Sequence, residues 1–584
     1  MKSNIIVKAV SVLALCVSAA SCNFLDIDPV DSFNENVVFG NLETLDGYVT
    51  KRYAELWDPL DRRALRFACD ESMNNFNWGG QNNAQQGYLH PDNDCWLGTW
   101  WSYYSTIQNC NLFMDKIDEI ELLKVDNRST ALVDQYIGEI RFIRAFCYAD
   151  LVSRYGGVIL STTAFRVDME DEEIFLPRSS YEDCVDFIVE ELDLAAAALP
   201  LQYDAKWLGR ATKGAALALK ARVLLYAASP LHNPEGDIQK WQAAKKATED
   251  LIFLNTDGTV DENVGVKLYS LDPDYYGLFR NTKSSEIIFE KIFSSEFGHY
   301  FDQYNSPNGF TGWSETCVNQ LLVDSYEIAA TGELPNAADL YGDKNGKEYE
   351  IGTTPWQGRD PRFYATIACD GDRWKTRDIE YYLIGEKNSK DKWIVSSGGR
   401  DSNKGGIEEW NASATGFYCK KFTTESIGVS FNDKSNVPWI YFRLGEFYLN
   451  YAEILFNLGD EAGARKYLEK IRERARGGNS GILPEVTASG DDLWNAIMRE
   501  RRVELAFEEH RFFDMRRWAL PKEAFEECIY GVIIYKDANT GKKTYVRNQT
   551  LKTSIDLPKQ YLFAIPNSER QKNPLLEQNP GYPN

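Results

Sequence analysis

The 584-residue sequence predicts a mainly α-helical scaffold of packed helix pairs that carries a long, irregular, loop-rich insertion. Three observations carry that reading. Apolar residues recur at helical spacing over eight long segments. Between about residues 255 and 435 that periodicity fades, and Gly, Asn, Asp, Ser and Trp rise. Hydrophobic residues make up 43% and charged residues 26%, the balance of a globular chain able to bury a large core.

The helical segments are expected over 100–120, 130–155, 180–198, 212–228, 237–252, 441–458, 461–476 and 491–518. "SSYEDCVDFIVEELDLAAAALP" shows start and stop chemistry. Ser180 is placed to cap, Glu182 and Asp183 favour the positive end of the helix dipole, and Pro200 follows the end. "ATKGAALALKARVLLYAAS" is rich in alanine, which lets neighbouring helices approach closely. In "NYAEILFNLGDEAGARKYLEKIRERA", Gly459 stands at a helix-to-helix turn, with Ala464 and then Leu468 beyond it. That spacing resembles the second half of a tetratricopeptide repeat; other pairs share the size without a clean consensus of roughly 34 residues, so the array is degenerate. Within the irregular part, "SEIIFEKIFSS" and "EYYLIGE" read as short strands.

The organisation expected is a leader over 1–21, a helical part over 22–255, a loop-rich ligand-binding insertion over 256–435 and a second helical part over 436–584. "MKSNIIVKAVSVLALCVSAASC" has two lysines, a short apolar run and small residues before Cys22. This is a secretory signal pattern, and its end resembles the bacterial lipobox, in which the cysteine is lipidated; Ala19 stands where leucine is preferred. The alternative is a plain cleaved signal with an incidental cysteine. No later apolar run approaches the about 20 residues of a membrane span. The formal net charge of −23 sets a repulsive field against nucleic acid and anionic lipid. The nine cysteines after Cys22 are odd in number and form no CxxC pair, which argues for buried thiols, with one or two disulfides left open in an exported protein.

Motifs for catalysis are missing. There is no phosphate-binding glycine loop, no HExxH and no GxSxG, and the four histidines (90, 232, 299, 510) are scattered. No metal ligand set or other cofactor is predicted. Oxygen-rich turns at 255–263 and 343–348 leave calcium open as the alternative to a solvated turn, although neither fits EF-hand spacing. A pair of carboxylates for glycoside hydrolysis is neither excluded nor locatable by sequence.

"ERRVELAFEEHRFFDMRRW" (500–518) packs ten charged side chains into nineteen residues. Arg501, Glu504, Glu508 and Arg511 fall within roughly an 80° arc of a helix. The i,i+3 pairs Arg501–Glu504 and Glu508–Arg511 are expected, with His510 bonded to Asp514. Apolar residues surround the rest, so the helix is expected to be buried and its charges to be a structural clamp.

That stretch, extended as "MRERRVELAFEEHRFFDMRRW", resembles the C-terminal signature of the SusD/RagB family of outer-membrane nutrient-capture lipoproteins. "CNFLDIDP", "GEIRFIRAFCYADLVSRYGGVIL", "GRATKGAALALKARVLLYAAS", "LLVDSYE", "GRDPRF", "RLGEFYLNYAEILFNLGD" and "YLFAIPNSERQKNPLLEQNPGY" resemble it in order, with Gly445 and Ile454 replacing expected alanines. The resemblance implies a tetratricopeptide-like helical fold with four helix pairs. It also implies a loop-rich face that binds glycan, or in some members peptide, without cleaving it. Its other implications are a lipid anchor on Cys22, a cell-surface position on the outer membrane and a TonB-dependent β-barrel partner of SusC type.

The family builds its site from two regions that here have chemistry for sugar. "NNFNWGGQNNAQQGYLHPDNDCW" carries nine Asn or Gln (74, 75, 77, 81, 82, 83, 85, 86 and 93) suited to sugar hydroxyls, with the flat faces of Trp78 and Trp96. "EFGHYFDQYNSPNGFTGW" carries Tyr300, Tyr304, Phe310 and Trp313 among turn residues. The candidate ligand-binding residues are Asn77, Trp78, Trp96, Tyr300, Tyr304 and Trp313, with Trp410 and Asn411 in a third region over 393–413. Trp100, Trp101 and Tyr104 are expected in the core. The function expected is capture of oligosaccharide and its delivery to the transporter barrel. A RagB-like peptide or glycopeptide receptor is the alternative, and a helical-fold glycoside hydrolase the remote one.

Overall fold

The computed structural model describes residues 35–60, 62–525 and 527–583; the leader and Cys22 lie outside these residues. Among them, ten helices of eight residues or more form the scaffold. They are α1 (Leu42–Ala54), α2 (Trp100–Asp115), α3 (Asn127–Tyr155), α4 (Tyr181–Ala198), α5 (Lys213–Ala228), α6 (Ile238–Ile252), α7 (Leu444–Asn457), α8 (Glu461–Arg476), α9 (Gly490–Glu504) and α10 (His510–Arg517). Six of the ten starts, those of α1, α3, α4, α5, α6 and α8, are capped by side chains. The Asp126 carboxylate accepts from Ser129 N, the Ser180 hydroxyl from Asp183 N, Thr212 from Ala215 N and Asp460 from Gly463 N.

The helices stack in chain order, which gives the tetratricopeptide-like array. α3 packs on α2 and α4, α4 on α5, α5 on α6, α6 on α7, and α7 on α8 and α9. Close crossings use small residues. A Cβ on Gly138 of α3 would sit 3.0 Å from the Ala198 methyl of α4. Ala464 and Leu468 of α8 are fully buried beyond the Gly459 turn. No described helix is long and apolar enough to cross a membrane.

The strands lie mostly among the loops. Ile287–Lys291 forms within, and Leu383–Lys387 overlaps, the two stretches read as short strands. The hairpin Ile529–Asp537 and Lys543–Leu551 was not anticipated, and it carries a mixed sheet with Lys347–Tyr349, Leu383–Lys387 and Trp393–Gly398. A second sheet orders Ser72–Asn74, Thr316–Val318, Tyr418–Cys419 and Ile367–Ala368, all antiparallel. The described cysteines are free thiols, and all but Cys528 are buried. Trp100 is buried but Trp101 is 75% exposed, because the next position on α2 turns away from the face that carries Trp100, Tyr103 and Ile107.

The stretch 491–518 is two helices, not one. Residues 505–509 turn, with Phe507 (φ 64°) and Glu509 (φ 68°) in left-handed conformation. Tertiary donors take the carbonyls that a continuous helix would use. Tyr275 Oη donates to Glu504 O (2.7 Å), and Lys421 Nζ donates to Ala506 O (2.9 Å). Phe507 N in turn donates to the buried Glu71 carboxylate (3.0 Å).

The charges form a buried clamp, but the expected i,i+3 pairs Arg501–Glu504 and Glu508–Arg511 are replaced by other partners, and the i,i+3 pair that does form is Asp514–Arg517 (2.8 Å). Glu504 meets Arg443 (2.7 Å), Arg362 (3.0 Å) and Arg474. Glu508 meets Arg443 (2.7 Å) and Lys421 (2.6 Å), and Arg443 also meets Glu286 (2.8 Å). Arg501 pairs with Asp514 (3.0 Å), and Arg511 with Asp70 (2.8 Å). His510 faces Glu446 at 3.9 Å rather than bonding Asp514. Burial, with Arg222 and Arg501 close by, holds the His510 imidazole neutral, well below its ordinary value. Burial pushes the Glu504 and Glu508 carboxyls up, but Arg474, Arg443 and Arg362 outweigh it for Glu504, and Arg443 and Lys421 for Glu508. Both end below their ordinary range.

Removing one partner leaves a buried charge unpaired, which costs about 3–5 kcal/mol. Arg443→Ala is therefore expected to destabilise the protein by that amount in urea melts, and Arg501→Ala by several kcal/mol as well. Because the folded carboxyl values are depressed, the clamp's contribution is complete above the ordinary value near 4.5 and is lost as pH falls through the folded values. Denaturation midpoints measured from pH 7 to pH 3 should fall less in Arg443→Ala than in the parent.

Candidate ligand-binding face

Strand register brings the distant loops together. Asn74 pairs with Thr316 at the end of an antiparallel ladder, and Cys317 pairs with Tyr418 on its other side. The chain leaving Asn74 therefore meets the chain arriving at Glu315, and Asn75 N donates to Glu315 O (2.9 Å). The Asn75 side-chain amide then reaches three carbonyls: Ala412 O at 3.1 Å, and Trp313 O and Asn411 O at 3.4 Å each. One side chain thus ties together all three regions singled out by composition.

Aromatic rings gather above this tie. Trp78 and Trp313 lie nearly parallel, with centroids 6.4 Å apart and planes 23° from each other. Phe76 meets Trp78 (5.9 Å), Trp313 (6.1 Å) and Trp410 (5.7 Å). Tyr304 packs on Trp313 (5.6 Å), and Phe431 packs on Trp313, Tyr304 and Tyr300 at 5.3–5.9 Å. Tyr300 reaches Tyr304 at 6.4 Å. Trp78 is 39% exposed and Trp410 68%, so broad ring faces stay open to solvent.

Loop chemistry fixes these rings. Asn77 adopts a left-handed conformation (φ 52°), and its Oδ1 accepts from Asn82 N (2.9 Å) while its Nδ2 donates to Asn83 Oδ1 (3.1 Å). Its amide is thus spent on the turn that presents Trp78. Trp96 lies across Gly79, where any Cβ would come within 2.4 Å of the indole, so only glycine lets the two approach. The Phe431 loop is held by Lys375 Nζ, which donates to Ile427 O (2.9 Å), and by Thr311 Oγ1, which donates to Val429 O (3.0 Å).

Most of the amides in 74–93 face inward rather than toward a ligand. Asn74 Nδ2 donates to Glu315 (3.1 Å), Asn82 Nδ2 to Asn74 O (2.7 Å), Gln81 Nε2 to Arg62 O (2.9 Å) and Gln85 Nε2 to Ser72 O (2.7 Å). The composition that suggested a hydroxyl-binding array is largely the frame of the loop, because a compact turn must satisfy its own backbone.

Three contributors escaped the sequence reading: Phe76, Phe431 and Arg62. Phe76 stood between two asparagines in the quoted stretch, a sufficient signal. Nothing local marked the other two. The Arg62 guanidinium lies 4.3 Å from the Trp78 ring centre, 5.1 Å from Tyr304 and 5.8 Å from Trp313. It is paired below with the fully buried Glu315 at 3.4 Å. Burial pushes the Glu315 carboxyl up to about 7, against the pull of Arg62 and Arg66.

The arrangement offers stacking surfaces and one cation. Among the described residues no group of three or more His, Cys, Asp or Glu is placed to hold a metal. In the oxygen-rich turns, Asp257 Oδ1 accepts from Thr259 N (2.9 Å) and Asp343 Oδ1 from Asn345 N (2.8 Å), the bonds that close such turns.

Comparison with known proteins covers nearly all of the chain. Residues 285–582 match the profile of the SusD family, and residues 23–225 match one described as starch-binding associating with outer membrane. A SusD-like protein of Bacteroides ovatus is 25% identical over 89% of this chain and 83% of its own. SusD-like protein P25 of Formosa agariphila is 25% identical over 82% of this chain and 77% of its own. Among solved structures, a SusD-like carbohydrate binding protein of Bacteroides fragilis superposes with a TM-score of 0.72 at 22% identity, covering 92% of this chain and all of its own. A laminarin binding SusD-like protein superposes with a TM-score of 0.60 at 20% identity, covering 94% of this chain and all of its own.

The Glu315–Arg62 pair makes the ring cluster sensitive to pH. Above about pH 7 the carboxylate is ionised and holds Arg62 against Trp78; below it the carboxyl is neutral and the hold weakens. Tryptophan emission should change with a midpoint near pH 7 and lose that transition in Glu315→Gln.

Proposed function

The chain belongs to the SusD family, and on that premise we propose that it is a glycan-binding surface lipoprotein that captures oligosaccharides through the aromatic face. The observation that supports this best is the convergence of Trp78, Trp313, Phe76, Tyr304, Phe431 and Trp410 from four separate loops, with ring faces left in solvent. Flat indole faces match the C–H face of a pyranose ring, and adjacent rings can follow successive sugars. The carbohydrate-binding and laminarin-binding descriptions of its structural neighbours agree with this ligand class.

Binding without cleavage fits the same face. The Glu315 carboxylate that pairs with Arg62 there is fully buried rather than open to a bound sugar. Captured glycan would pass to a SusC-type TonB-dependent barrel, with Cys22 carrying the lipid that holds the protein at the outer membrane.

Trp78→Ala with Trp313→Ala should weaken binding to a recognised glycan at least about tenfold, or ~1.4 kcal/mol, in affinity gels and calorimetry. The double variant should still unfold cooperatively, at a somewhat lower melting temperature because Trp313 packs against four rings. Undiminished affinity in the double variant would remove the site, and release of new reducing ends by the parent would replace binding with hydrolysis. Cys22→Ser should abolish palmitate labelling and release the protein from membranes; labelling at the parent level would contradict the anchor.

A further inference from the structure

A second recess lies apart from the aromatic face, between the segment 201–212, Tyr269 and the strand Ile287–Lys291. Its volume is about 320 Å³, at the lower end of the about 300–1,000 Å³ of small-molecule sites. Glu290 lines it from the strand. This side chain is 5% exposed, and among the described residues its Oε2 has no hydrogen-bond partner. A buried carboxylate without donors is costly, so its isolation needs an explanation.

The cations nearby do not supply one. Arg210 lines the same cleft, but Glu139 (3.1 Å) and Asp46 (2.5 Å) hold its guanidinium. Lys283 is exposed at the rim. Burial alone pushes the Glu290 carboxyl up to about 7; no neighbouring charge draws it back. Across the cleft and its bonded neighbours, Arg210 and Lys283 stand against Glu139, Asp46 and Glu290, two cations to three carboxylates. Tyr203 and Tyr269 line the walls, and aromatic faces attract ammonium groups.

We propose that this cleft is a second binding site, which takes a small ligand carrying a primary ammonium group with the Glu290 carboxylate as its counter-ion. An ammonium supplies both the charge and the donors that Glu290 lacks, and its apolar body can rest on the two tyrosines. A divalent cation fits less well, because Glu139 is already committed to Arg210 and Tyr203 (3.3 Å). A neutral polyol offers donors without offsetting the charge, and an anion meets the wrong field.

The test uses the whole protein and two probes that differ only in the charged group. Cyclohexylamine and cyclohexanol are titrated at pH 8 by calorimetry and by the side-chain carboxyl resonance of Glu290. The amine should bind at least tenfold tighter than the alcohol, and at saturation it should lower the Glu290 midpoint by about one unit, the linked equivalent of a tenfold preference for the ionised carboxyl over the neutral one. Glu290→Gln, nearly isosteric, should erase the preference. The Trp78→Ala, Trp313→Ala variant should retain it, which keeps this site's fate separate from that of the glycan face. Equal binding of amine and alcohol, a preference that survives Glu290→Gln, an unmoved Glu290 midpoint, or loss of amine binding in the tryptophan variant would each overturn the proposal.

Discussion

The whole molecule hangs on the Glu504–Arg443 contact and the charges that complete it. Glu504 sits at the end of α9, Arg443 at the start of α7, Arg474 in α8, Arg362 in a short helix of the loop-rich part, and Glu286 just before a strand. Five segments therefore share one fully buried ionic centre. Hydrophobic burial would hold these elements together in many relative positions. Fixed charges in a low-dielectric interior allow far fewer, because each misplacement strands a charge. The loop-rich part is thus anchored directly to the helical scaffold rather than draped over it.

That anchoring explains how long loops keep a definite surface. The strands that carry the aromatic face are only two or three residues long, and alone they would not hold register. They gain it from their setting: Phe507 N at the broken helix bonds Glu71, the residue before Ser72, and the Asn319 N–H beyond Thr316–Val318 bonds the Glu71 carbonyl. The charge centre and the aromatic face are linked through this short run.

Much of the architecture was legible in the sequence. Helical periodicity located α2 to α8 within a few residues, and the family resemblance rests on charges whose spacing is recognisable whatever they contact. The break at 505–509 was not legible, because Ala506, Phe507 and Glu508 favour helix locally and the donors that interrupt it come from Tyr275 and Lys421. The clamp partners were hidden for the same reason: helical geometry nominates i,i+3 neighbours, while the fold supplies Arg443 from about sixty residues away. At the aromatic face, composition drew attention to Trp78, Trp313, Tyr300 and Tyr304, which the fold gathers into one cluster, because large aromatics in polar turns are conspicuous. That most of the amides bond within the loop depends on backbone conformation, and Arg62 and Phe431 join the cluster only once the loops meet, so neither was legible in composition.

Asn75 gives the aromatic face a particular evolutionary latitude. Its amide engages only backbone carbonyls, of Trp313, Asn411 and Ala412, and main-chain oxygens do not change when side chains do. The ring-bearing side chains on this face can therefore be exchanged one loop at a time while the junction between loops survives. A scaffold wired in this way can diverge in what it recognises without re-solving how to fold, and the ordering entropy of the loops is met before any ligand arrives.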